Sequence, residues 1–183
     1  MPYRSRAIWT FCCLSLLSGC AHEAPPFPPP STSPQAPRAT HPARTQAAIA
    51  AAYVATAASI DLFVIRSSEM ALQRSSSART RDFATQEIAA HKGLASQLSF
   101  AGRRLNLLPS ATLQPEHQAL LERLQTAPNF DATYRQEQLQ VHRQALTLHS
   151  NYAASGRSPT LRPVAAAAVP IIQRHLRLIG YLY

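Results

Sequence analysis

Eight of the fifteen prolines fall between residues 21 and 44, among them Pro25-Pro26-Phe27-Pro28-Pro29-Pro30. Proline has no N–H to donate and its ring collides with the preceding turn, so this stretch can build neither a helix nor a central strand. It reads as a disordered, partly polyproline II tether from residue 20 to 44, reaching at most roughly 75 Å at ~3.1 Å per residue. A compact domain therefore has to come from residues 45–183, enough chain to bury about two thirds of its surface around one core. The six prolines of this segment, at 109, 115, 128, 159, 163 and 170, fall where helices would start, stop or bend.

The apolar residues of the body recur in steps of three, four and seven, a helical and not a strand spacing. Ile49, Tyr53, Ala57, Ile60, Val64 and Ala71 make one stripe on a helix from about Thr45 to Ser75. Phe83, Leu94, Leu98, Ala101 and Leu105 make another on a helix from about Ala78 to Leu108, closed by Pro109. A short helix fits residues 114–125, with Pro115 in its first turn. Asn129 can cap the next helix, which runs to Ser155 with Gly156 as its stop and carries Phe130, Tyr134, Val141, Ala145, Leu148 and Tyr152. Ser158-Pro159 opens the last one. Four amphipathic helices with short connections, plus one short extra helix, predict an all-α, up-and-down four-helix bundle.

The N-terminus predicts a different fate for the first residues. Arg4 and Arg6 precede an apolar run from Ala7 to Leu17, the pattern of an export signal, too short to span a bilayer as a mature helix. It ends in Leu17-Ser18-Gly19-Cys20, which resembles a bacterial lipobox: residues 1–19 would be removed and Cys20 would carry lipid. Ala21 in place of Asp after the lipidated position is similar to the outer-membrane sorting pattern of enterobacterial lipoproteins. The expectation is a lipoprotein held on the outer membrane of a Gram-negative bacterium, with residues 45–183 facing the periplasm. All three cysteines lie in the first 20 residues, so no disulfide framework and no thiol chemistry remain for the body.

Three segments carry a family resemblance: Phe83-Ala84-Thr85-Gln86-Glu87-Ile88-Ala89-Ala90-His91, Phe130-Asp131-Ala132-Thr133-Tyr134 followed by His142, and Val169-Pro170-Ile171-Ile172-Gln173-Arg174-His175-Leu176. In this order they resemble the domain of unknown function 4142, a family of bacterial outer-membrane or periplasmic proteins. The resemblance covers roughly Tyr53 to Leu182 and implies a ferritin-like bundle. Two positions depart from the family: Ala90 stands where Asp is usual before the His of the second helix, and Val64 aligns with a usual Glu of the first.

His91 lies on the stripe of its helix one turn after Glu87, His142 beside Val141 and Ala145, and His175 among Ile171, Ile172 and Ile179. Three helices can therefore aim imidazoles inward. Together with Glu87 and Asp131 they make either a buried polar network that sets helix register or a mononuclear copper or zinc site. A ferritin-type di-iron site needs Glu on two helices and Glu-x-x-His on the other two, whereas here Glu87 to His91 is i, i+4 and Glu137 to His142 is i, i+5. Asp131 also suits the first turn of its helix, where free N–H groups stabilise a carboxylate. No nucleophile triad, phosphate loop or catalytic carboxylate pair stands out, so the chain reads as a binding or structural envelope module with metal or redox chemistry as the alternative. Its net charge of +9 falls to +7 once Arg4 and Arg6 leave with the signal. Export removes nucleic acid as a partner, and anionic envelope components such as lipid A or peptidoglycan take its place.

Overall fold

The computed structural model describes residues 41–182; the signal segment, Cys20 and the tether up to residue 40 lie outside the described residues. The described residues are helical, with no strand among them. The helices are α1 (His41–Arg74), α2 (Ala78–Arg103), α3 (Pro115–Thr126), α4 (Phe130–Ser155) and α5 (Leu161–Ile179). Compared with the sequence reading, α1 begins four residues sooner and α2 ends five residues sooner.

The ends carry the predicted caps. The Asn129 side chain accepts the Ala132 N–H at 3.3 Å at the start of α4. Ser158 does the same for α5: its hydroxyl accepts the Leu161 N–H at 3.3 Å and its carbonyl the Arg162 N–H at 3.0 Å. At the end of α3 the carbonyls of Leu124, Gln125 and Ala127 accept from the Arg74 guanidinium at 2.9, 2.7 and 3.2 Å, so the last turn of α1 supplies the cation this C-terminus favours.

Helix α1 packs on α2 and α4, and α5 packs on α4 and α2, so the four long helices form a closed square with α3 laid over the α1–α4 side. Three apolar layers fix the directions. The first joins Tyr53 and Ala57 of α1 to Leu98 of α2, Tyr152 of α4 and Leu161 of α5. The middle layer joins Phe63 and Val64 to Leu94, Val141 and Ile172. The third joins Ala71 to Phe83, Tyr134 and Ile179. Neighbours on the square are thus antiparallel, as expected of an up-and-down bundle, but α2 and α4 sit on a diagonal and point the same way. The segment between them must cross the whole length of the bundle, the single long crossover that distinguishes ferritin-like bundles.

His117 pins this crossover in place. Its Nδ1 meets the Ser59 hydroxyl of α1 at 2.7 Å and its Nε2 the Gln144 side-chain oxygen of α4 at 3.0 Å, while the Ser59 oxygen also accepts the Gln114 N–H at 2.8 Å. The crossover starts from a tight exit. The Gly102 carbonyl accepts N–H bonds from both Leu105 and Leu107 at 2.9 Å, and Asn106 adopts a left-handed φ of 56°. A Cβ on Gly102 would collide with the Leu107 carbonyl. We expect Gly102→Ala to destabilise the bundle by about 1–3 kcal/mol, read as a lowered midpoint in chemical denaturation with an unchanged slope.

Candidate metal centre

Between the middle and third apolar layers the bundle interior turns polar. Glu87 and His91 stand one turn apart on α2, with His142 on α4 and His175 on α5, and none is more than 2% exposed. The three imidazoles form a nearly equilateral triangle, with ring centroids 5.4, 5.5 and 5.6 Å apart. Glu87 sits at its centre. Its Oε2 lies 3.0 Å from His142 Nε2 and 3.3 Å from His91 Nε2, and its Oε1 lies 2.9 Å from His175 Nδ1. One ligand atom from each of the four residues lies within 4.8 Å of all the others.

The outward nitrogens are held by other groups. His91 Nδ1 donates to Asp61 Oδ1 of α1 at 2.8 Å. His142 Nδ1 lies 2.8 Å from the Gln138 carbonyl, which can only accept, so this nitrogen carries a proton. In its neutral form His142 then turns a bare lone pair on Nε2 toward a carboxylate oxygen that carries no proton either. Glu87 Oε1, Glu87 Oε2 and His91 Nε2 have no aligned hydrogen-bond partner although imidazole nitrogens lie within contact distance. The atoms converge on a common volume, where the only aligned pair among them is His142 Nε2 with His175 Nδ1 at 3.4 Å.

Charge follows from this crowding. Burial alone would raise the Glu87 carboxyl, but His142, His175 and His91 outweigh it and hold it well below the usual carboxylate range. Burial would lower His91, yet Asp61 and Glu87 push it up to about 9. His142 is held down, first by burial and further by the neighbouring His91 and His175, with Glu87 opposing.

Of the residues predicted from sequence, the fold brings Glu87, His91, His142 and His175 together. Asp131 stands apart. It occupies the first turn of α4, eleven residues before His142 and so about 16 Å away along the axis. Glu137 likewise faces away from the cluster, with Oε1 2.9 Å from Arg123 Nε. The carboxylate that the first helix lacked at Val64 is supplied three residues earlier by Asp61, which the sequence reading missed. Its signal was visible: Asp61 is the only charged residue between Arg44 and Arg66.

A second buried histidine of α4 lies two turns beyond His142. His149 Nδ1 meets the Tyr53 hydroxyl at 3.1 Å, its Nε2 has no hydrogen-bond partner, and burial, with a smaller push from His91, lowers it to about 4. Being depressed from about 6.5, His149 contributes stability that is present above pH 6.5 and lost as pH falls through about 4, on the order of 3 kcal/mol. His91, raised to about 9, contributes stability present below pH 6.5 and lost as pH climbs through about 9. The metal-free protein should therefore weaken on both sides of near-neutral pH in denaturant titrations. We expect His149→Gln to flatten the acid limb and His91→Gln the alkaline one.

Residues 34–182 match the family described as "Domain of unknown function (DUF4142)", and the chain belongs to that family. Among solved structures the chain is similar to "CopM in the Cu(II)-bound form", with a TM-score of 0.63 and 16% identity over 73% of this chain and 95% of that one. At that identity the likeness is one of fold. No curated protein matches the chain.

Proposed function

We propose that this member of the domain of unknown function 4142 family is an envelope-anchored protein that binds a single divalent copper ion at Glu87, His91, His142 and His175. The observation that carries this reading is the convergence of three imidazole nitrogens and a carboxylate in a closed interior, with both Glu87 oxygens and His91 Nε2 lacking aligned partners. A cation placed among them satisfies every one of these atoms. The spacing also fits: nitrogens ~2.0–2.1 Å from a tetrahedral ion stand about 3.3–3.4 Å apart. His142 Nε2 and His175 Nδ1 are 3.4 Å apart.

The donor types favour a borderline divalent ion. Three imidazoles and a carboxylate suit copper(II) and zinc, and at equal geometry copper(II) binds more tightly. Soft ligands for copper(I) are scarce, since Met70 is the only methionine besides Met1 and every cysteine lies at or before residue 20. The similarity to a copper(II)-bound structure of the same fold supports testing copper first. Asp61 and the Gln138 carbonyl act one step out, fixing which nitrogen of His91 and His142 faces the ion and how the rings are oriented. The closed setting suits holding an ion rather than turning over a substrate, and the export-signal pattern ending at Cys20 supports an envelope setting for this work.

Titration of the purified protein with copper(II) should reach one ion per chain, with nitrogen couplings in its paramagnetic resonance spectrum. Glu87→Gln and His142→Ala should each lower the stoichiometry below one. Asp61→Asn, which leaves the four ligands intact, should weaken affinity about 10–100-fold. Substoichiometric copper in the parent protein, unchanged in the variants, would leave only a buried hydrogen-bonded network at this position.

A further inference from the structure

The two ends of the bundle differ in their carboxylates. One end gathers the start of α1, the end of α2, the end of α4 and the start of α5, the elements that share the first apolar layer. No Asp or Glu occurs at residues 41–60, 88–113 or 138–182, so the long helices bring no carboxylate to this end. They bring Arg44, Arg103, Arg104, Arg157 and Arg162, all exposed. Glu69, Asp82 and Glu122 belong instead to the parts of α1, α2 and α3 nearest the opposite end, where they offset arginines such as Arg74, Arg81, Arg123 and Arg177.

The basic end also carries apolar side chains in the open: Phe100 is 60% exposed and Leu108 71%. Phe100 lines a groove of about 620 Å³ between α2 and α5, with Ala101, Arg104, Pro159, Pro163 and Val164. Arginine guanidinium groups bind phosphate oxygens in a bidentate fork, and exposed aromatic and aliphatic side chains beside them enter the boundary between headgroups and acyl chains. This end is also where the chain preceding His41 joins the bundle.

We infer that the basic end of the bundle seats on the surface of an anionic phospholipid bilayer, with Arg103 and Arg104 on headgroup phosphates and Phe100 at the acyl boundary. The inference is independent of the metal reading. Seating points the long axis of the bundle away from the membrane and turns the Tyr181 end outward. The attraction is electrostatic at its edge, so it weakens with salt.

The test uses the whole chain in a Trp9→Phe background, with a reporter tryptophan introduced as Phe100→Trp or, at the other end, Tyr181→Trp, both at exposed positions. Each protein is incorporated into vesicles whose acyl chains carry bromine, made from phosphatidylglycerol or from phosphatidylcholine. In phosphatidylglycerol the fluorescence at position 100 should fall at least about two-fold and shift blue, while position 181 stays unchanged. Arg103→Glu with Arg104→Glu, or salt raised to about 0.5 M, should restore it. Equal quenching at both positions, equal quenching in the two lipids, or none at position 100 would each overturn the inference. So would retention on peptidoglycan sacculi without quenching by lipid.

Discussion

A carboxylate enclosed in the dry middle of a helical bundle has to be compensated, and Glu87 is compensated by every other long helix. His142 answers from α4 and His175 from α5, while α1 takes part through Asp61, which holds His91 on the same helix as Glu87. Each contact is short, so a slide of any helix by one turn, about 5.4 Å, would strand a charged or polar group in apolar surroundings. The layers on either side are filled by interchangeable aliphatic and aromatic side chains and impose no such precision. Glu87 therefore sets the register that those layers then pack around.

The long helices were legible because their stripes survive in a sequence rich in alanine, and their caps because Asn129 and Ser158 are the residue types that accept free N–H groups. Order along the chain did not disclose which helices are neighbours. The link from Leu105 to Asn129 contains a short helix and three prolines, and nothing local tells whether it turns back or crosses over. That choice is made by distant partners of His117, on α1 and α4.

The site was legible to the same degree. His91, His142 and His175 could be placed on inward stripes one helix at a time, and the helical period also put Glu87 beside His91. Asp61 was hidden because a single aspartate amid alanine and aliphatic residues was read through the family alignment at Val64 instead of through its own isolation. Asp131 shows the converse error: a carboxylate close in sequence to a recognisable motif is not thereby close to the site. A ferritin-like frame with one carboxylate and three imidazoles at its centre also departs from the carboxylate-rich di-iron pattern, so the likeness of fold and the chemistry of the interior have to be argued separately.

The diagonal placement of α2 and α4 divides the cluster between two hairpins. Glu87, His91 and Asp61 belong to the hairpin of α1 and α2, and His142 and His175 to the hairpin of α4 and α5, which the crossover links along the chain. An ion held by these residues would work as a rivet through two plates, so that loading it would clamp the hairpins together. The crossover tied down by His117 is the strap that joins the plates in register.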